Sequence, residues 1–537
     1  MTFPNSQGER GEPRRRFQDH SQSPRGPEYP PERRPERPSD RGPQRYDDRG
    51  SQRYDDRGAQ RYDDRGAQRY DDRGSQRYDD RGAQRYEDRD RSRGREGWQR
   101  AQPSRPAVAL NLSSLLLRAL CPRGADAQVA SELQRLPEVR DIALVAGAGG
   151  VHFRGSLATL YRANLELRCA SRVLVELSDA PCRGPEDLYA AAFGLPWEEF
   201  LSPQGTLAVS AHGTLPEVGL SNSMFVALRV KDAICDRFRA RYGRRPDVSV
   251  QAPDLRIHVQ LYSAATPGER GSRGTPRMVI SLDSSDTPLH ERGYRVASVE
   301  APLKETLAAT FVEIALRDLP PGPPPLDAQG LPMLPTVVDL CCGSGTLLVE
   351  AGLRLLRKSP GLLRSGGKSR HFGFMGWRTY DPAAFQRVTE EVSRQVVRGG
   401  GVFLYGYDLD RQAISAARRN LGTAGLSPFS QIQLGDLRTA ESPLAAPVLS
   451  DGPAGSEAAP RIVLCNPPYG ERMSTADELV SLYRALGDTL KRRFTGYRAY
   501  VYTANLDLVK QIGLRPSARY ILFNGPLEGR LLEFKLY

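Results

Sequence analysis

A chain of 537 residues exceeds what one hydrophobic core organises and implies several folding units. A formal charge of +12 and a pI near 9.4 favour a polyanionic partner. The seven cysteines form no Cys-x-x-Cys pair and the six histidines are scattered, so the sequence offers no metal site. The odd, sparse cysteine set and the lack of an apolar leader read as reduced, cytoplasmic protein. No apolar run approaches the roughly 18 residues needed to span a bilayer, so no membrane is expected.

Residues 1–106 differ in composition from the rest. Within 1–105, Met1 is the only Val, Ile, Leu or Met, and 26 Arg face 21 acidic residues. An octapeptide of the type Ala-Gln-Arg-Tyr-Asp-Asp-Arg-Gly repeats six times, starting at Pro43, Ser51, Ala59, Ala67, Ser75 and Ala83. Such a segment buries too little apolar surface to offset its chain entropy, so a disordered tail is expected. Arg on phosphates and Tyr on bases would give it weak RNA contact; near-neutral repeats fit a solvated tail better.

Apolar spacing predicts helices at Leu110–Leu120 and Ala127–Leu136, then strands at Asp141–Val145 and Gly150–Phe153. Strands follow at Ser171–Leu177, Thr206–Ala211, Leu255–Leu261 and Met278–Leu282, with a basic amphipathic helix at Ser223–Tyr242 and a polar loop at Gly268–Arg277. A helix at Ala301–Leu316 precedes the Pro-rich stretch Leu319–Pro335. From Thr336 onward strand and helix alternate, the pattern of a doubly wound parallel sheet. Strands are expected at Val337–Leu340, Val402–Tyr407, Gln431–Leu434, Arg461–Leu464, Ala499–Thr503, Tyr520–Phe523 and Leu531–Leu536. Helices are expected at Thr346–Arg357, Pro382–Val397, Arg411–Ala424, Ala476–Phe494 and Leu506–Ile512. The last two strands, turned by Asn524-Gly525-Pro526, predict a hairpin that places an antiparallel strand at the sheet edge.

Asp339-Leu340-Cys341-Cys342-Gly343-Ser344-Gly345-Thr346 puts a glycine turn at a strand's carboxyl end, where backbone amides approach a ligand. A P-loop would need Gly-Lys-(Ser/Thr), and a dinucleotide fingerprint would need glycine where Leu348 stands. S-adenosylmethionine remains, its cationic amino group suited to Asp339. An ordinary strand–helix turn is the other reading. The second strand ends in Asp408, which can accept both ribose hydroxyls, while Asp410 suits a helix cap. The third ends in Asp436, which can accept the adenine amino group. Singly these acids read as cap or turn residues; at three successive strand ends they read as a ligand site.

The fourth strand ends in Asn466-Pro467-Pro468-Tyr469. An exocyclic amine conjugated to a ring or carbonyl is a poor nucleophile because its lone pair is delocalised. The Asn466 side-chain oxygen and the Pro467 carbonyl can hold its two hydrogens and turn the lone pair toward a methyl donor. The prolines stiffen the backbone that carries these acceptors, and Tyr469 can stack on a planar target. The amine of guanine, of adenine or of a glutamine amide fits equally. A proline-rich turn after a buried strand is the bland alternative. Cys465 is expected to point into the sheet rather than the cleft.

These two motifs, with Gly149-Gly150-Val151-His152-Phe153, Ala252-Pro253-Asp254-Leu255-Arg256, Leu289-His290-Glu291-Arg292-Gly293-Tyr294-Arg295 and Phe372-Gly373-Phe374-Met375-Gly376-Trp377, resemble the THUMP-domain RNA guanine-N2 methyltransferases. The resemblance covers residues 107–537 and implies a ferredoxin-like domain (107–159), a THUMP RNA-binding domain (160–285), a linker helix region (286–335) and a Rossmann-like class I methyltransferase (336–537). It implies an α/β enzyme that uses S-adenosylmethionine on guanosine N2, with 23S rRNA or pre-ribosomal particles as partner. It also places Thr306 near the cofactor's methionine end. With Asp339, Asp408 and Asp436, the residues Cys341, Gly343, Ser344, Gly345 and Thr346 complete the expected cofactor set. The repeat tail departs from the family pattern. So do the long polar linker Glu441–Pro460 and the end at Tyr537, where some members continue into a second methyltransferase whose activity is therefore not expected here. Seven Lys and Arg without an acid between Arg354 and Tyr380 suggest RNA contacts, with Arg364, Lys368, Arg370 and Arg378 as candidates. A second basic group comprises Arg237, Arg239, Arg241, Arg244 and Arg245. A mildly basic module ahead of the catalytic half favours RNA over a protein glutamine. A tRNA substrate and a non-enzymatic RNA-binding assembly factor are the remaining alternatives, the last disfavoured by four intact site residues, Asp339, Asp408, Asp436 and Asn466.

Overall fold

The computed structural model describes residues 111–144, 150–264, 274–299, 302–320, 322–364, 372–444, 459–469 and 475–537, all within the compact unit Arg100–Tyr537. The repeat tail, Lys368, Arg370, most of the Glu441–Pro460 linker and Gly470–Arg472 lie outside them.

The leading half runs β1 (Leu115–Leu120), α1 (Asp126–Gln134), β2 (Arg140–Leu144), β3 (Val151–Gly155), α2 (Leu157–Glu166), β4 (Arg172–Pro181), α3 (Pro185–Gly194), β5 (Thr206–His212), α4 (Ser223–Tyr242), β6 (Asp247–Val248), β7 (Leu255–Ala264) and β8 (Thr275–Asp283). These strands form one sheet in the order β2-β3-β1-β4-β8-β7-β5-β6. The β-α-β-β-α-β run from β1 to β4 pairs antiparallel in ferredoxin-like order. Through β4 and β8 it continues into the remaining strands, so the sheet has no seam. The boundary drawn at 159–160 falls within α2.

Leu115–Leu120 is a strand, not the expected helix. Leu115, Leu117 and Ala119 face the helix-covered core, but on the other face Arg118 is also fully buried, held by Glu176 at 3.0 Å. With both faces buried, the alternation that marks a strand disappears from the sequence. Helices α2 and α3 were not anticipated either. By contrast α4 has the predicted ends, because Asn222 caps it by accepting from the Met224 and Phe225 amides and Gly243 closes it in the left-handed region.

The catalytic half comprises α5 (Glu305–Ala315), β9 (Thr336–Asp339), α6 (Thr346–Leu355), α7 (Pro382–Arg394), β10 (Leu404–Asp408), α8 (Arg411–Thr423), β11 (Ser430–Leu434), β12 (Arg461–Cys465), α9 (Ala476–Arg493), β13 (Arg498–Thr503), α10 (Leu506–Val509), β14 (Ala518–Asn524) and β15 (Leu527–Lys535). Its sheet has the order β11-β10-β9-β12-β13-β15-β14. The first five are parallel, and α5, α6 and α8 cover one face while α9 covers the other. The hairpin forms as expected, but the reversed strand is β15, inserted between β13 and β14, rather than the edge strand. The edge strand β14 is covered by the leading half: the Phe523 amide donates to the Arg123 carbonyl and the Arg123 guanidinium lies over the Phe523 ring.

Two further contacts lock the halves together. Phe372, Phe374 and Trp377, with Val388 and Val392 of α7, belong by sequence to the catalytic half but fill the leading half's core. There Tyr161 of α2 packs against Phe374, Tyr380 and Phe385. Beneath them Arg292 forms a sealed ion pair with Glu350 of α6, each side chain at most 1% exposed. Arg292 also donates to the Arg168 carbonyl, and the Tyr294 hydroxyl donates to Glu350 at 2.8 Å. Removing one member of such a pair strands the other charge in low dielectric. Arg292→Met is therefore expected to lower unfolding free energy by about 3–5 kcal/mol. Urea denaturation checks this, and a loss below about 1 kcal/mol would remove the pair from its structural role.

Candidate active site

The acids and Asn466 meet at the carboxyl ends of four neighbouring strands. Register pairs Asp339 with Gly406 on one side and with Leu464 on the other, and Asp408 with Leu434. This is the side on which open α/β sheets bind ligands.

The glycine turn is built around Asp339 and Asp408. Asp339 is 1% exposed, and its carboxylate accepts the Cys341 amide at 3.1 Å. Asp408 accepts the Gly343 amide at 2.8 Å and the Asp410 amide at 3.0 Å, which ties β10 to the turn after β9. Each carboxylate oxygen of Asp408 retains a second lone pair for a ligand. Gly345 has φ +80°, and a Cβ there would stand 3.1 Å from that of Ala417, so only glycine lets α6 start against α8. Asp410 caps α8 through the Gln412 amide, as expected of it.

Asp436 is half-buried, accepting the Arg438 amide at 2.8 Å and pairing with its guanidinium at 2.9 Å. Leu409, between Asp408 at the end of β10 and the cap residue Asp410, is 64% exposed. The sequence alone did not single it out. Cys341 is half-buried, while Ser344 and Thr346 are buried. Thr306 is buried in the first turn of α5. It is joined to the glycine turn through its neighbour Glu305, whose carboxylate is held by Arg295 at 2.7 Å while the same guanidinium reaches Ser344 Oγ at 3.1 Å.

At β12 the Asn466 Oδ1 is buried and has no hydrogen-bond partner among the described residues. Pro467 is buried, and Pro468 and Tyr469 are half-buried. The Tyr469 ring meets that of Tyr502 edge-on at 5.9 Å, and Tyr502 packs on Phe311 of α5 at 4.7 Å. Cys465 points into the core under α9, as expected. Its hydrogen bond with Cys341 and its burial push the thiol well above the usual range, which leaves no thiolate nucleophile there. Among the described residues no cluster of His, Cys, Asp and Glu is placed to hold a metal, and no helix is long and apolar enough to cross a membrane.

Of the RNA candidates among the described residues, Arg364 needs correction. Arg364 is 8% exposed and spends its guanidinium on Thr287 Oγ1 and on the Pro288, Thr287 and Ser285 carbonyls, so it has no face to offer a phosphate. Arg378 is exposed but donates to the Glu198 carbonyl at 2.7 Å, tying the insertion to the leading half. Arg354 pairs with Glu313, and Lys358 caps the carbonyls ending α8. In the second group Arg237 and Arg241 share Glu198 and Arg239 pairs with Asp236, which leaves Arg244 and Arg245 exposed. The exposed Arg411, Arg418 and Arg419 of α8 make no ion pair among the described residues; Arg418 donates to the Ile432 carbonyl. With Ile414, Ser415 and Leu434 they line a cavity of about 360 Å³.

Burial pushes the Asp339 carboxyl up to about 8, and Asp408 adds to the rise against the Cys341 amide, which favours the charged form. An unfolded aspartate titrates near 3.9. Between these values the unfolded chain has released the proton that the folded chain keeps, so stability falls as pH rises through the window. Asn keeps the hydrogen bond without the titration. The melting temperature of Asp339→Asn is therefore expected to pull ahead of wild type from about pH 4 to about pH 8. A gap constant across that range would contradict the buried-carboxyl assignment.

Comparison with known proteins places three family models in chain order: an RlmL ferredoxin-like domain over 117–174, a THUMP domain over 182–266 and an RMKL-like methyltransferase domain over 292–533. A ribosomal RNA large subunit methyltransferase K/L of Syntrophotalea carbinolica is 39% identical over 425 residues, covering 78% of this chain and 53% of its own. Its counterpart in Allochromatium vinosum is 39% identical over 433 residues, covering 79% and 52%. The chain thus spans about half the length of the curated relatives it matches. Among solved structures, the protein SMU.472, in complex with SAH, superimposes with a TM-score of 0.64 at 24% identity over 79% of this chain and 99% of its own. A protein of Clostridium difficile 630 gives 0.64 at 23% over the same shares. At these identities the two structures speak to the fold.

Proposed function

We propose that this chain, which matches RlmL ferredoxin-like, THUMP and RMKL-like methyltransferase domains in order, transfers a methyl group from S-adenosylmethionine to the exocyclic N2 of a guanosine in large-subunit ribosomal RNA. The observation that carries the reading is the buried, unpartnered Asn466 Oδ1 at the end of β12. A buried acceptor left unmade costs about 1–3 kcal/mol, and a donor arriving with the substrate removes that cost. The cofactor, when bound, supplies a methyl group on a positively charged sulfur.

The chain's own residues do the rest. Asn466 Oδ1 and the Pro467 carbonyl accept the two N–H groups of the amine and orient its lone pair. Tyr469 stacks on the base, which must be unstacked from its RNA to reach it. The free lone pairs of Asp408 accept the ribose hydroxyls, Leu409 and Asp436 receive the adenine, and Asp339 meets the cationic amino group. The turn residues Cys341 to Thr346 line the cofactor, and Thr306 stands at its methionine end. The THUMP domain supports RNA over a protein amide, and the similarity to ribosomal RNA large subunit methyltransferases K/L supports ribosomal RNA and, with it, a cytoplasmic place of action. The exposed cations of α8, Arg411, Arg418 and Arg419, are placed to meet phosphate, and the buried Arg364 is not.

Asn466→Ala is expected to abolish methyl transfer while leaving cofactor affinity nearly intact. Asp408→Ala is expected to weaken cofactor binding by about 1–3 kcal/mol through loss of charge-assisted hydrogen bonds. Calorimetry paired with a methylation assay reads both. Near-normal turnover of the Asn466 variant would remove it from its role, and unchanged affinity of the Asp408 variant would leave that acid a turn residue.

A further inference from the structure

The segment Arg292 to Val299 crosses over the glycine turn, and two side chains hold it there. Asn420 of α8 is completely buried and uses its full hydrogen-bonding capacity. Its Oδ1 accepts the Val296 and Ala297 amides, both at 3.0 Å, and its Nδ2 donates to the Ala297 carbonyl at 2.8 Å and the Ser344 carbonyl at 2.9 Å. Arg295 joins three pieces: Nε donates to Glu305 at 2.7 Å, Nη1 to Ser344 Oγ at 3.1 Å and Nη2 to the Leu303 carbonyl at 2.9 Å. Val299 Cγ2 lies 3.8 Å from where a Cβ on Gly343 would stand, so the segment rests directly on the turn.

We propose that Asn420 and Arg295 are positioning residues that set the glycine turn in its ligand-ready shape. The proposal rests on the reading of this turn as the S-adenosylmethionine site. Gly343 and Gly345 both adopt positive φ, and neither has a side chain by which the fold could fix it. Glycine loses the most chain entropy on ordering, so an unrestrained turn would spend binding energy on its own arrangement. The Asn420 grip on the Ser344 carbonyl and the Arg295 grip on its hydroxyl restrain the residue between the two glycines from opposite ends. Arg295 adds the first turn of α5, so the elements that bracket the cofactor share one clamp. Neither residue touches the reacting atoms. Their loss acts on cofactor affinity and leaves the chemical step alone.

Arg295→Gln, at a position 17% exposed, is the variant most able to fold. Its Kd and KM for S-adenosylmethionine are expected to rise about tenfold, the effect of one lost charged hydrogen bond, with kcat at saturating cofactor within about twofold of wild type. Arg295→Lys, which keeps the charge beside Glu305, is expected to recover part of the affinity. Asn420→Asp, which turns two donors into an oxygen facing two carbonyls, is expected to strip hydrogen-exchange protection from Val296 and Ala297 in the cofactor-free chain and to raise Kd at least as far. Unchanged Kd in Arg295→Gln, or a fall in kcat with affinity intact, overturns the proposal. So does lost protection in Asn420→Asp without lost affinity. A wild-type chain that binds no S-adenosylmethionine overturns the underlying reading, and the wild-type titration registers that separately.

Discussion

The sealed contact of Arg292 with Glu350 and the Arg168 carbonyl is the constraint on which the rest of the structure depends. A buried guanidinium with two partners in different halves cannot adjust to relative movement without exposing an unpaired charge. The aromatic insertion around Phe374 works in the same direction, because a segment of the catalytic half is part of the other half's core. Immediately after Arg292 the chain passes to Tyr294, which shares Glu350, and then to Arg295, which grips Glu305 and Ser344. The same few residues that lock the halves also brace the cofactor turn.

Within the site, function sits where the fold gives up stability. The Asp339 carboxyl is buried in a place that favours its neutral form, and the Asn466 oxygen is buried with no donor to it among the described residues. A chain selected for stability alone would replace both. Their presence at adjacent strand ends, β9 and β12, is best understood as preorganisation: groups already stripped of water and aimed before the ligand arrives. Keeping the Cys465 thiol protonated beneath them fits chemistry on an amine rather than on a ring carbon.

Much of this was legible in the sequence where chemistry is written in contiguous residues. Asp339 to Thr346 and Asn466 to Tyr469 each form one local turn, so spacing alone put their acceptors together. Helix α4 could be read to both ends because its cap residues are its own neighbours. What escaped depends on partners distant along the chain. Arg364 looked available among unpaired cations, yet its acceptors lie 76 to 79 residues away around Thr287. Arg354 is neutralised by Glu313, 41 residues upstream. Strand β1 lost its alternation because Arg118 is buried by Glu176, a residue on another strand. The insertion of β15 inside the sheet follows from packing that a hairpin signal cannot specify. Counting charges along the chain cannot tell a spent arginine from a free one, and the three arginines of α8, Arg411, Arg418 and Arg419, do not stand out as a run.

The central claim concerns the atom that receives the methyl group. The direct measurement is to incubate the chain with isotopically labelled S-adenosylmethionine and naked 23S rRNA, digest the RNA to nucleosides and identify the labelled species by mass spectrometry, with tRNA, assembled subunits and release factor as parallel acceptors. The account predicts label in N2-methylguanosine, greatest on the naked rRNA. Label in N6-methyladenosine, or on a glutamine of the release factor, would contradict it.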